Sequence, residues 1–144
     1  MSWTGFILDN HNRAQLAQWL DQDDWVIVCL CAAWCDTCQS YRASFEKLAA
    51  RHPDKRFAWI DIEDQSDFIG DIDVENFPTL LMQHGDTVAF FGTVLPDLKL
   101  ADRLIHAQAE KTTAELQSES QASSERSEWQ RICNLRVLLQ QAAA

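Results

Sequence analysis

Residues 25–32 read WVIVCLCA, a continuous apolar run rich in β-branched side chains. Such a run, with no polar alternation, is the pattern of a strand buried on both faces. A strand of that kind needs covering layers above and below it, which points to a sheet sandwiched by helices. The run gives way at residues 32–48, AAWCDTCQSYRASFEKL, to a helical pattern in which Tyr41, Phe45 and Leu48 recur at steps of four and three. The chain therefore passes from buried strand to amphipathic helix across two cysteines three apart, Cys35 and Cys38.

The remaining elements agree with that frame. Residues 9–22, DNHNRAQLAQWLDQ, predict a first helix with Asp9 or Asn10 as its N-cap and Leu16, Trp19 and Leu20 on one face. Residues 56–64, RFAWIDIED, predict a second buried strand. FPTLLMQ and TVAFFG flank HGD as a hairpin with Gly85 at the turn. Residues 95–108, LPDLKLADRLIHAQ, predict a further helix, with Pro96 tolerated in its first turn. The order α-β-α-β-β-β-α predicts an α/β fold, a central mixed sheet flanked by helices. Three regions are expected: a main domain over 1–108, a polar helix or linker over 109–128, and an amphipathic C-terminal helix over 129–144. In the last, Trp129, Ile132, Leu135 and Leu139 share a helical face with Cys133 and Val137 beside it. That face must be buried, either on the domain or on a partner, including a second copy of the chain.

Charge and composition exclude several classes. Asp and Glu number 22 against 12 Lys and Arg, a formal net charge of −10 over 144 residues. Such a field repels phosphate backbones and anionic lipid, so neither nucleic acid nor a membrane surface is expected as a partner. The N-terminal MSWTGFILDNHNR lacks the basic region of a secretory signal. Five cysteines, an odd number with two in a buried strand, suit a reducing compartment, and the cytoplasm is expected. The acidic run DIEDQSDFIGDIDVE lacks the ligand spacing of an EF-hand and reads as a solvated loop. His11, His52, His84 and His106 are scattered, so no Cys–His nucleophile follows from spacing. Trp3, Trp19, Trp25 and Trp129 read as packing residues.

The cysteines admit a clasp, a metal cage or a redox pair. Cys35 is placed at a helix N-terminus, whose unsatisfied N–H groups and partial positive charge favour a thiolate. Cys38, one turn further, is placed to resolve a mixed disulfide. Cys29 and Cys31, two apart on the strand, point to one face. With Cys35 and Cys38 they compose either a four-thiol cluster that binds zinc or relays disulfides, or two small core hydrophobes. A rigid strand suits zinc poorly, so packing is the expected role, as it is for Cys133. Neither a metal nor another cofactor is expected.

WVIVCLCAAWCDTC resembles the strand and W-C-x-x-C motif of the thioredoxin family, and VENFPTLLMQHGDTVAFFG resembles that family's hydrophobic-Pro-Thr segment, hairpin and glycine. The resemblance covers roughly residues 10–105. It implies the thioredoxin fold and a thiol–disulfide oxidoreductase acting on protein disulfides, with a separate thiol reductant to regenerate it. It further implies that Cys35 attacks and Cys38 resolves, that Trp34 shields the site, and that Pro78 is a cis-proline. Phe77 would offer its backbone to an extended substrate, and Gly92 would border the groove. Departures are visible. Asp36-Thr37 replaces the usual Gly-Pro, and a carboxylate beside Cys35 disfavours a second negative charge, which predicts a reductant rather than a strong oxidant. Cys29 stands in place of a buried aspartate, Trp59 in place of its lysine partner, and Cys31 in place of a tryptophan. The lost proton relay supports a second reading, a thioredoxin-fold binding module or assembly chaperone that recruits partners through the C-terminal helix.

Overall fold

The computed structural model describes residues 6–22, 24–70 and 72–143, so the expectation for Trp3 lies outside them. Five strands, β1 (Phe6–Ile7), β2 (Trp25–Cys31), β3 (Arg56–Asp61), β4 (Thr79–His84) and β5 (Thr87–Thr93), form one mixed sheet in the order β1-β3-β2-β4-β5. β2 is central. It runs parallel to β3, with Cys29 beside Trp59, and antiparallel to β4, with Cys29 opposite Leu80. The β4–β5 hairpin turns at Gly85, whose φ of 58° lies in the left-handed region that glycine adopts without penalty.

Strand alternation divides the core into two layers. Val26, Val28 and Leu30 face one side, where Leu16 and Leu20 of α1 (Arg13–Asp21), Phe68 of α3 (Ser66–Ile69) and Leu138 of α7 (Leu135–Ala143) meet them. Ile27, Cys29 and Cys31 face the other, against Cys38, Tyr41, Phe45 and Leu48 of α2 (Asp36–Arg51) and Ile105 of α4 (Leu98–Ala109). Both layers are dry, which is why β2 carries no polar side chain between Val26 and Cys31.

Two boundaries differ from the sequence pattern. The first helix starts at Arg13, without a side-chain N-cap, rather than after Asp9 or Asn10. Those residues close a turn instead: the Asp9 N–H donates to Asn12 Oδ1 at 2.8 Å, and the His11 N–H donates to Asp9 Oδ1 at 2.7 Å. β1 is absent from the α-β-α-β-β-β-α reading because two residues cannot display an alternation.

Beyond residue 109 the chain is ordered by its own caps. In α5 (Thr113–Glu119), Thr112 and Glu115 form a reciprocal capping box, and Ser123 caps α6 (Ser124–Glu128). Glu119 accepts from Lys111 at 2.6 Å and from Arg126 at 3.3 Å, bracing the two helices. A π-helical turn, Trp129–Cys133, follows, and the chain then breaks at Asn134, which is extended with ψ 114°. A single helical wheel over 129–144 therefore does not hold, and Leu138 joins Leu135 as a fully buried leucine of α7 while Leu139 is only partly buried. The apolar face of this segment is buried on the chain's own domain, with Cys133 and Leu135 in the same layer as α1.

Polar contacts seat the segment in register. Gln130 accepts from the Val88 N–H and donates to the Val88 carbonyl, both at 2.8 Å, and so occupies backbone groups on edge strand β5. Buried Gln83 donates to Asn134 Oδ1 at 2.8 Å and accepts from the Leu135 N–H at 2.8 Å. Asn134 in turn donates to the Asp86 carboxylate at 3.0 Å. Asn134→Ala leaves the Gln83 amide short of a partner and is expected to cost about 1–3 kcal/mol of unfolding free energy, read by urea denaturation.

Cys133 adds a pH-dependent element. Burial, assisted by the Glu128 charge, pushes its thiol up from an ordinary 9.0 to about 12. The folded chain then holds a proton that the unfolded chain has lost, so its contribution is complete below about pH 9 and vanishes as pH rises towards 12. Cys133→Ala should make the decline of unfolding free energy across that alkaline window shallower. Denaturation series at stepped pH compare the two slopes.

Candidate active site

The junction of β2 and α2 is a stitched turn. The Cys35 N–H donates to the Ala32 carbonyl at 3.1 Å, and the Cys35 carbonyl accepts the Gln39 N–H at 3.1 Å. The Gln39 side chain donates back to the Ala33 carbonyl at 2.8 Å. From the end of β3, Asp61 accepts the Ala33 N–H at 3.0 Å and also the N–H groups of Glu63 and Asp64, locking the neighbouring turn against this one. Cys35 is thereby held as the N-cap residue of a 16-residue helix, half-buried, with the free N–H groups of the first turn around it. Asp36 is exposed at the first helical position.

Cys38 is buried one turn on, and its disulfide partner is Cys31 of β2, with 5.7 Å between the Cα atoms. Cys35 is a free thiol. The pairing expected within the C-x-x-C motif is thus not the one present, and Cys31 is not a mere packing residue. The reason is geometric. Odd-numbered residues of β2 point at α2, while a side chain at the third helical position leans back over the strand. Cys29, the next odd position, brings its Sγ to 3.6 Å from that of Cys31. Burial holds the Cys29 thiol far above its ordinary range, and the Arg42 charge offsets only a smaller part of that rise.

Arg42 was not apparent from sequence as part of this site. Trp59 occupies the position where the resemblance would put a lysine, but the Arg42 guanidinium lies over the Trp59 ring, 4.9 Å from its centroid. A cation therefore stands on this face after all, delivered by α2 instead of β3. The signal was present in the spacing: Arg42 is four residues after Cys38, on the same helical face. Cys38, Arg42, Trp59 and Asp61 line a cleft of about 430 Å³ on this side of the junction.

On the other side, the Phe77-Pro78 peptide is cis. Pro78 is buried, and its carbonyl accepts the Val94 N–H at 3.1 Å, which ties the loop to the end of β5. Trp34 is 67 % exposed and meets Phe77 edge-to-face at 5.7 Å. Its indole N–H donates to Glu63. Gly92 pairs with Leu80 across β4 and β5, and an added Cβ would stand 3.3 Å from the Phe90 ring. Trp34, next to Cys35 in the chain, thus meets Phe77, which is followed by the buried Pro78, and Gly92 lies on β5.

A second polar cluster lies at the far end of α2, roughly 24 Å away along a 16-residue helix. Buried His52 approaches Asp102 at 2.7 Å, and Arg51 and His106 approach the same carboxylate at 3.9 and 3.8 Å. It joins α2 to α4 and is remote from the cysteines.

A mixed sheet whose central strand leads into a cysteine-bearing helix, opposite a cis-proline loop, is the thioredoxin fold. The thioredoxin family model matches residues 8–106, and the chain belongs to that family. It is 28% identical over 100 residues to putative thioredoxin H10 of Arabidopsis thaliana, covering 69% of this chain and 54% of the relative. It is 27% identical over 111 residues to putative thioredoxin 2 of Streptomyces coelicolor, covering 72% of this chain and 82% of that one. The chain therefore spans about half the length of the first relative and most of the second. Among solved structures, a poplar thioredoxin h matches with a TM-score of 0.65 at 19% identity, over 75% of this chain and 97% of that one. A thioredoxin mutant from Halobacterium salinarum matches with a TM-score of 0.64 at 22% identity, over 78% and 97%. Among the described residues no helix is long and apolar enough to cross a membrane.

Proposed function

We propose that the chain is a thiol–disulfide oxidoreductase that reduces protein disulfides, with Cys35 as nucleophile and Cys38 as resolving thiol. The observation that carries this reading is a half-exposed free thiol at a helix N-terminus, one turn before a buried cysteine already engaged in a disulfide. The Cys35 thiolate attacks one sulfur of the substrate disulfide, and the other leaves as a thiolate. Reduced Cys38 then attacks Cys35 Sγ and expels the first substrate sulfur. The substrate gains two electrons and two protons, and the protein retains a disulfide that a thiol reductant must reopen.

Trp34, Phe77, Pro78 and Gly92 form the surface on which the substrate lies. An extended segment would pair with the backbone at Phe77 while Trp34 covers the reacting sulfurs. Cys35 attacks from the N-cap position of α2, and Asp36 beside it biases the pair towards reduction of its substrates. Substrates and reductant are proteins or small thiols of a reducing compartment, for which the cytoplasm is the reading of choice. The binding-module reading needs the C-terminal apolar face for a partner, and that face is already occupied by the chain's own core.

Cys35→Ser should lower the rate of reduction of a model protein disulfide such as insulin by at least about a hundredfold, because no covalent intermediate can form. Cys38→Ser should accumulate a stable mixed disulfide at Cys35, visible as a mass increment that a reducing agent removes. Equal rates for wild type and Cys35→Ser would end the catalytic reading.

A further inference from the structure

We propose that Cys31 is a third redox-active cysteine, which takes the disulfide inward from Cys35–Cys38 to Cys31–Cys38 and returns Cys35 to the free thiol. This rests on the proposed function above. The two arrangements share Cys38, whose neighbours are Cys35 at the surface and Cys31 in the adjacent strand. The step is an internal exchange. Cys31 loses its proton and attacks Cys38 Sγ, the Cys35–Cys38 bond breaks, and Cys35 leaves as a thiolate that takes up a proton. One S–S bond forms and one breaks, so the exchange needs no oxidant or reductant.

Three features of the site favour it. β2 is rigid and buried, so Cys31 is held with its Cα 5.7 Å from that of Cys38, within the span a disulfide bridges. The start of α2 and Arg42, which is stacked on Trp59 and paired with Glu46, bring positive charge to the face, while the Asp61 carboxylate beside Cys31 is engaged by the N–H groups of Ala33, Glu63 and Asp64. Cys29, 3.6 Å from Cys31, is a free thiol, and Cys31 is the strand cysteine joined to Cys38.

The exchange changes what the oxidised protein can do. Cys31 and Cys38 are each 1% exposed, so a bulky thiol reductant has no direct approach to their bond. Reduction must pass back through Cys35, which reopens the buried bond by attacking Cys38 and then presents the surface disulfide. Meanwhile an oxidised chain still displays a nucleophilic Cys35 against Trp34 and Phe77. Its mixed disulfides can be released only by another thiol, such as one of the substrate's own, so the oxidised form reshuffles disulfides where the reduced form removes them.

The test is a disulfide map of the full chain after oxidation by one equivalent of diamide, native alkylation with iodoacetamide and acid quenching. Cleavage after Trp34 leaves Cys29 and Cys31 on one peptide and Cys35 and Cys38 on the next. A Cys31–Cys38 bond therefore links the two peptides and a Cys35–Cys38 bond does not, and fragment ions tell Cys31 from Cys29. The expected wild-type map has Cys31 linked to Cys38 and Cys35 alkylated. In oxidised Cys31→Ala, Cys35 should be linked to Cys38 and its alkylation at least about tenfold slower. Cys31→Ser serves if the alanine variant is unstable, and the wild-type map needs neither. A wild-type map holding only Cys35–Cys38 overturns the inference. Insulin reduction is read in parallel: an active wild type with that map leaves the oxidoreductase function standing. An inactive wild type that maps to Cys31–Cys38 overturns both, because the buried bond is then a structural disulfide with no surface disulfide to take over.

Discussion

Burial of β2 on both faces constrains everything else in this chain. A strand with no solvent-facing side must be paired on both edges and covered above and below, and each of the other elements answers one of those needs. β3 and β4 satisfy its backbone, α2 and α4 cover its odd residues, and α1, α3 and α7 cover its even ones. Each fully buried aliphatic side chain is worth roughly 1.5–3 kcal/mol, so the strand is also where shifting register by one residue would be most costly.

That rigidity sets the chemistry. The strand ends where α2 begins, so the residue at the junction, Cys35, is held at a helix N-terminus with its thiol at the surface. The same alternation that packs Ile27 against α2 aims Cys29 and Cys31 at Cys38. Core packing and sulfur chemistry therefore occupy one face, and a cysteine that looks like a small hydrophobe in sequence becomes a disulfide partner in space. Arg42, stacked on Trp59, brings a positive charge to that face from the helix side.

The C-terminal segment completes the opposite layer. Its π-helical turn and the break at Asn134 let Gln130 cover the backbone of edge strand β5 while Leu135 and Leu138 enter the core. Gln83 and Asn134 are buried polar groups with their hydrogen bonds made, and they fix where the segment sits more than they hold it down. The sheet edge that would otherwise be open to another chain is covered by this chain itself.

Much of this was legible in the sequence, because hydrophobic periodicity reports local burial directly. The buried strand, the helix after Cys35, the hairpin at Gly85 and the order of elements all follow from it. So does the pair Cys35 and Cys38 at a strand–helix junction, whereas the role of Phe77-Pro78 is implied only by the family resemblance. What periodicity could not supply was anything set by contacts between distant residues or by a local departure from regular geometry. Two-residue β1, the turn that delays α1, and the break at Asn134 leave no periodic trace. The pairing of Cys38 with Cys31 depends on how far the first turn of α2 leans over β2, and the stacking of Arg42 on Trp59 depends on the same packing. Sequence determined which sulfurs stand near the junction; only the packing of helix on strand decided which two are joined, since a disulfide needs Cα atoms within a few ångströms of a set separation.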